Sequence, residues 1–423
     1  MFSLTLLESI LQKLSPKTKF LIAYSGGMDS HVLLHSMHLL AKQHPNWQIR
    51  AAHIHHGLST NANQWLDHCQ TVCKNLHIEL ITKFANVKEQ LQPKMSLEEL
   101  ARKLRYELLA EILHSDECLL TAQHADDQTE TVLMQLFRGA GPKGLSAMPE
   151  IKVFAHSQLL RPFLPFTRNM LRQYAITEQL NWIEDESNEN ICHDRNFIRH
   201  SLMPIIKERW PGILTTVSRA AKNCSKAVTL LKELATDDYE NIKGVVVNTI
   251  SITKLLQIDI LRQENVLRYW LQLLNLPIPS SKKIAEIINT VCKARIDGNP
   301  KVNWANVAVH RFKDDLYAFE NTNFPNIESF AIPWNLQGLA KLPQNLGSID
   351  KTLLERANIK VDESLGDITF CSRKYANSYK VKNRQGTHQL RKLFQEWQIP
   401  PWLRDRTILV TQQNELIGHL IIF

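Results

Sequence analysis

Apolar positions near the start of the chain recur with a helical period at Phe2, Leu6, Leu7, Ile10, Leu11 and Leu14, with Glu8 and Lys13 among them. The pattern then shortens. An apolar run at 20–23 leads into Ser25-Gly26-Gly27 and a second helical stripe through Val32, Leu33, Leu34, Leu39 and Leu40. Residues 49–54 predict a second strand, 65–76 a helix and 78–84 a third strand. A further helix starts at Ser96 and runs through Leu100, Leu104, Leu108 and Ile112. Ser96 and Glu99 have the spacing of a capping box, in which the Ser hydroxyl accepts an early backbone N–H and the Glu reaches back. Residues 118–120 predict a short buried strand and 126–137 the next helix. Strands alternating with helices imply a parallel sheet covered on both faces.

The alternation stops after Pro149. Residues 159–162 predict one more strand, and helices follow to about residue 206, ending near Trp210-Pro211-Gly212. A helical run at 214–234 opens a middle region. A Pro- and Asn-rich stretch at 321–333 reads as a linker, and the remainder contains short strands and one helix at 389–397. The expected architecture is α/β: an N-terminal parallel-sheet domain (1–212) with helices on both faces, a mostly helical middle domain (213–330) and a small α+β C-terminal domain (335–423).

Charge and cysteine usage narrow the function. The chain has 423 residues and a net charge of +8, with a pI of about 9.0, which favours an anionic partner such as nucleic acid or nucleotide. The seven cysteines are scattered and include no C-x-x-C pair. That argues against a disulfide framework, a zinc ribbon and a cysteine-held iron–sulfur cluster. The N-terminal stripe is not a signal peptide and no run of 18 apolar residues occurs, so a cytoplasmic protein without a membrane span is expected.

The strongest chemical signal is Ser25-Gly26-Gly27-Met28-Asp29-Ser30 between a strand and a helix. Such a turn aims free backbone N–H groups at an anion, and two glycines allow close approach. Ser25 and Ser30 add hydroxyls, and Asp29 is placed to hold Mg²⁺ or to orient the loop. A Walker loop is absent. Gly139-Ala140-Gly141-Pro142-Lys143-Gly144 matches G-x-G-x-x-G but follows a helix instead of a strand, so it reads as a helix end and loop. A second signal is Thr121-Ala122-Gln123-His124-Ala125-Asp126-Asp127-Gln128-Thr129-Glu130-Thr131, where Asp127 and Glu130 stand one helical turn apart. Paired carboxylates at a helix start suit Mg²⁺ or proton transfer. Arg102 and Arg105 share a helix face that suits phosphate contact. Between Ile368 and Gln395 there is no acid, and Arg373, Lys374, Lys380, Lys382, Arg384, Arg391 and Lys392 are interleaved with Tyr375, Tyr379 and His388. Cations with aromatics suit an RNA backbone and unstacked bases.

The string Ser25 to Ser30 resembles the PP-loop of the ATP-pyrophosphatases, which cleave ATP between the α and β phosphates. Other motifs resemble one branch of that group, the tRNA(Ile)-lysidine synthetases: His55-His56-Gly57-Leu58, Ala101 to Tyr106, Thr121 to Thr131, Arg161-Pro162, Glu184-Asp185-Glu186-Ser187-Asn188, Asp194 to Arg199, and Leu393 to Arg406. Two departures stand out. Gln123 occupies a position where many members have His, and Thr407-Ile408 replaces a usual proline.

The resemblance implies an ATP- and Mg²⁺-dependent carbon–nitrogen ligase. It adenylates the C2 oxygen of the wobble cytidine in the CAU anticodon of tRNA(Ile), and the amine of free L-lysine then displaces AMP. It implies Ser25, Gly26, Gly27, Met28, Asp29, Ser30, His55, Gly57, Arg105 and His124 for ATP, and Asp29, Asp127 and Glu130 for catalysis, with Mg²⁺ on Asp29 and Asp127. Arg102, Arg195 and Arg199, with Arg373, Lys374, Lys382, Arg384 and Arg391 of the basic stretch, are the candidates for tRNA contact. Asp127 and Glu130 remain open between binding lysine, holding metal and taking a proton. A homodimer is one option for the assembly. Two alternatives are weighed: a PP-loop tRNA thiolase, for which the cysteine spacing is wrong, and an RNA-binding protein that uses nucleotide only as a switch.

Overall fold

The computed structural model describes residues 2–91, 96–184, 186, 191–295, 298, 300–320, 327–343 and 346–421. The chain divides into two compact units, Met1–Lys232 and Glu233–Phe423.

The first unit runs α1 (Leu4–Leu14), β1 (Lys19–Ala23), α2 (Met28–Gln43), β2 (Gln48–His55), α3 (Ala62–Asn75), β3 (Glu79–Phe84), α4 (Val87–Gln90), α5 (Leu97–Ile112), β4 (Glu117–Leu120), α6 (Ala125–Phe137), α7 (Pro142–Leu145), β5 (Ile151–Phe154), β6 (Ser157–Leu160), α8 (Arg168–Thr177), α9 (Asp194–Phe197), a π-helical turn (Ile198–Leu202) and α10 (Met203–Arg209). Its sheet has the order β3-β2-β1-β4-β6-β5. Every pairing is parallel except the β5–β6 hairpin. β1 is buried on both faces: Phe20 and Ile22 join a core with Leu7, Leu11, Val32 and Leu33, and Leu21 joins another with Leu100, Leu104 and Leu119. From β1 the chain builds outward through β2 and β3, then returns to place β4 on the other side. The order thus reverses between β1 and β4, and ligands of open α/β sheets bind beyond the carboxyl ends of the strands at such a point.

Ser96 caps α5 by accepting the Glu99 N–H at 3.4 Å. The fully reciprocal capping box among the described helices lies on α6 instead, between His124 and Asp127. Strand β5 has no counterpart in the sequence pattern. It is a four-residue edge strand whose Val153 is 80% exposed, so no buried stripe marks it.

Helix α11 (Ile213–Ile242) reaches from the first unit into the second. There follow β7 (Ile250–Ser251), α12 (Ile252–Leu255), α13 (Ile260–Leu273), α14 (Ser281–Glu286), β8 (Lys301–Trp304), β9 (Val307–Phe312) and β10 (Asp315–Glu320). The helices pack around Trp270, Leu267 and Leu271. They are joined by a four-stranded antiparallel sheet of order β7-β10-β9-β8 that the helical pattern of the region did not foretell. The last part holds β11 (Ala331–Trp334), β12 (Ala340–Lys341), β13 (Ser348–Ile349), α15 (Lys351–Arg356), β14 (Ile368–Ser372), β15 (Ser378–Val381), β16 (Thr387–Gln389), α16 (Leu390–Glu396), β17 (Thr407–Gln412) and β18 (Glu415–Ile421). Six of these strands form the sheet β11-β14-β17-β18-β15-β16. Leu390, Leu393 and Phe394 of α16 fill one core against it. No described helix is long and apolar enough to cross a membrane.

Candidate active site

The loops leaving β1 and β4 open at the strand-order reversal. In the first, Gly26 has φ +85°, a left-handed conformation that glycine tolerates best. A Cβ there would lie 2.7 Å from Ile183 Cδ1 and 3.0 Å from Cys69 Sγ, so the position is closed by space as well. The Ile183 N–H donates to the Gly26 carbonyl at 3.0 Å, bracing the loop from a segment far along the chain.

The two serine hydroxyls are spent inside this loop. Ser30 Oγ donates to the Gly27 carbonyl at 2.9 Å and accepts from the Ser25 N–H at 3.2 Å. Its single proton is committed, so Ser25 donates across the 3.0 Å contact between the hydroxyls. Met28 is buried in the core and offers the loop only its backbone. The open donors are therefore the amides of the first turn of α2. Gly27, the N-cap, provides no side-chain cap, and the first-turn N–H groups of a helix have no partner within it. Such a terminus can hold an anion on its backbone, with the serines as its frame.

Asp29 stands beside these amides, with its side chain 30% exposed. One of its oxygens, Oδ2, lies 3.6 Å from His124 Nε2. The other, Oδ1, is buried without a hydrogen-bond partner. A carboxylate oxygen left in that state fits a cation. The described residues hold no cluster of three or more His, Cys, Asp or Glu arranged for a metal. Asp29 could hold Mg²⁺ as a single carboxylate together with nucleotide phosphates, a usual arrangement for this ion.

His124 caps α6 and is 1% exposed. Its backbone N–H donates to Asp127 Oδ2 at 3.0 Å, and its Nδ1 accepts the Asp127 N–H at 3.4 Å. Burial disfavours a charged ring, but Asp127, Asp29 and Asp126 outweigh it and raise the His124 pKa above its ordinary value. Burial likewise works against the Asp127 carboxylate, and His124, Arg195 and Arg199 more than offset it, holding its pKa low.

Asp127 and Glu130 are not bare carboxylates. Arg195 donates to Glu130 Oε2 at 2.7 Å and to Asp127 Oδ1 at 2.8 Å. Arg199 donates to Glu130 Oε1 at 2.7 Å, Glu130 Oε2 at 2.9 Å and Asp127 Oδ1 at 3.2 Å. Two carboxylates one turn apart on α6 thus meet two guanidiniums one turn apart on α9 and the π-helical turn. Arg195 and Arg199, expected from the sequence to contact tRNA, have their forks engaged by these acids. Nearby, Asp126 is held by Lys207 at 2.7 Å and by the Arg168 N–H at 2.8 Å.

Other candidate residues spread around this centre. His53 is a core residue whose Nδ1 meets the Tyr24 carbonyl at 3.0 Å. His55 contacts Asn63 Oδ1 at 3.2 Å, and Gly57 follows with φ +66°. Arg105 Nε donates to His56 Nε2 at 3.2 Å; burial and then Arg105 depress the His56 pKa to about 4. Arg102 lies over the Tyr106 ring at 5.3 Å, and buried Arg161 donates to the Pro149 carbonyl at 2.8 Å. Of Glu184 to Asn188, residues Asp185, Ser187 and Asn188 lie outside the described residues.

In the second unit the basic stretch is neutralised in part from outside it. Arg373 pairs with Asp405, Arg384 with Glu396 at 2.6 Å, and Lys380 with Glu415 at 2.6 Å. Arg404, unassigned in the sequence reading, joins this surface. Partial burial, then Arg373 and Arg391, lower its pKa, the mark of crowded cations. Lys382 adds charge near Asp362.

Three family models match the chain: a PP-loop domain over residues 4–206, a TilS substrate binding domain over 250–317 and a TilS substrate C-terminal domain over 368–418. A tRNA(Ile)-lysidine synthase of Coxiella burnetii is 39% identical over 412 residues, covering 97% of this chain and 90% of that protein. One from Photobacterium profundum is 36% identical over 424 residues, covering 97% and 93%. With the family models and near full-length relatives in agreement, the chain belongs to the tRNA(Ile)-lysidine synthase family.

Proposed function

We propose that the chain converts the wobble cytidine of the CAU anticodon of tRNA(Ile) into lysidine. The cytidine C2 oxygen attacks the α-phosphorus of ATP and pyrophosphate leaves. The ε-amine of free lysine then attacks C2, AMP departs, and the amine gives up a proton. The observation that carries this reading is the uncapped α2 terminus at the strand-order reversal, with the unpartnered Asp29 Oδ1 beside it. Backbone donors fixed before the reaction stabilise charge as it develops without reorganising. Mg²⁺ on Asp29 would neutralise charge on the departing pyrophosphate.

The quartet of Asp127, Glu130, Arg195 and Arg199 suits the amino-acid substrate. A lysine zwitterion presents an ammonium and a carboxylate, the same two kinds of charge, and can enter by exchanging partners with the quartet. The amine is a nucleophile only when neutral, so the ε-ammonium must give its proton to a base before it attacks. The basic face of the C-terminal part supplies sequence-independent affinity for the tRNA backbone.

Incubation with ATP, radiolabelled lysine and bulk tRNA tests the whole reading. Label in RNA with stoichiometric AMP is expected. ADP as the main product, or AMP formation independent of lysine and tRNA, rejects it.

A further inference from the structure

The outer face of the β9–β10 hairpin carries an aromatic surface. Val307, Val309 and Leu316 turn inward to the core, and the alternation of a strand sends His310, Phe312, Tyr317 and Phe319 the other way. His310 and Tyr317 are direct partners across the pair. Such a face would be left to solvent if the hairpin ended the module. Trp402 covers it. Its ring centroid lies 4.6 Å from His310, 5.5 Å from Tyr317, 6.1 Å from Phe319 and 6.2 Å from Phe312. The Trp402 indole N–H and His310 Nδ1 are buried without hydrogen-bond partners, and the rings meet tilted at His310 and Phe319 and edge-on at Tyr317 and Phe312.

Trp402 does not belong to the same module as the rings. It sits on the 3₁₀ turn Pro401–Arg406, between α16 and β17, inside the C-terminal family match, and the rings lie in or beside the substrate-binding match. The same turn carries Arg404, whose guanidinium lies 5.9 Å from the Phe394 ring centroid, as does that of Arg373. Whatever fixes the turn fixes this cationic group with it.

We propose that Trp402 is a positioning residue: seated among His310, Tyr317 and Phe319, it locks the two modules together and sets the arginine cluster at a fixed span for the phosphate backbone of the tRNA. The inference rests on the tRNA-modifying reading above. Two binding surfaces held rigidly engage one ligand as a unit, whereas a loose pair loses effective concentration.

The test is steady-state lysidine formation by the full chain. Trp402→Ala removes no charge. It should raise the KM for tRNA by about tenfold, with kcat at saturating tRNA and the KM for ATP within about twofold of the parent. Trp402→Phe, which keeps a ring, should restore most of the tRNA KM. Tyr317→Ala strips the seat from the other module and should reproduce the effect, and combining it with Trp402→Ala should add little, because both break one contact. An unchanged tRNA KM in both single variants, or effects that multiply in the double variant, overturns the proposal. A loss of kcat shared by all substrates with no rise in tRNA KM assigns Trp402 to folding alone and also overturns it. If the parent chain forms no lysidine, the functional reading has failed instead.

Discussion

Replacing Glu130 with Gln isolates what the charge quartet contributes. Glu130 is 2% exposed and accepts three hydrogen bonds from two guanidiniums. Gln keeps the shape, removes the charge and turns one acceptor into a donor facing an arginine. Asp127 alone would then balance Arg195 and Arg199. Both arginines are less than a third exposed, so water compensates little, and removing one partner from a buried ion pair costs about 3–5 kcal/mol. Each kcal/mol lowers Tm by roughly 2–4 °C in a domain of this size, so the first unit should melt roughly 6–20 °C earlier. Differential scanning calorimetry of the full chain reads this directly. Adding Arg199→Met should recover at least half of the loss, because a balanced pair is removed instead of a single charge. A Glu130→Gln protein that melts within about 2 °C of the parent refutes the argument. If that protein also loses lysidine formation, Glu130 serves the substrate without supporting the fold.

Three further outcomes are expected. Asp29→Ala should fold normally and lose at least about tenfold in turnover, the roughly 1.4 kcal/mol of a displaced charge-stabilising group; near-parent turnover across a Mg²⁺ titration would make Asp29 a loop residue only. The raised pKa of His124 means that its ionic contribution to stability is complete below its unfolded value near 6.5 and is lost as pH rises through the folded value. The Tm gap between the parent and His124→Asn should therefore narrow with rising pH above about 6.5, and a constant gap would show that the ring acts as a neutral cap throughout. Finally, Arg391→Ala with Arg404→Ala should flatten the log–log salt dependence of tRNA binding by about 0.7–0.9 per lost phosphate contact and leave ATP binding unchanged, as read by filter binding across a salt series.

The sequence exposed what is local. Ser25 to Ser30 announce a strand-to-helix turn because glycine and small hydroxyl residues there have few other uses, and α6 was visible in its N-terminal acids. What α6 touches was not. Asp127 and Glu130 lie 65 to 72 residues from the arginines that bind them, and no periodicity reports a contact across that span. A hint was present nonetheless: acids at i and i+3 and arginines at i and i+4 are two faces of opposite sign. The bracing of Gly26 by Ile183 left no trace, because a backbone carbonyl accepts from any residue. Ser25 and Ser30 were legible as loop residues but not in their direction, since a motif does not say whether a hydroxyl turns toward ligand or inward. The middle sheet was hidden for another reason: β9 is apolar on most of its length, and a short apolar run fits helix and strand alike.

The pairing of α6 with Arg195 and Arg199 also sets an order of assembly during synthesis. Chains fold as they emerge, N-terminal parts first, so Asp127 and Glu130 leave the ribosome well before the residues that neutralise them. Until then α6 carries two acids that have no reason to leave water. The charge quartet is completed late, by arginines that arrive after the whole parallel sheet has been made. A nascent chain that ends before them leaves both acids in water, so α6 gains its last partners only when the segment after residue 194 has emerged.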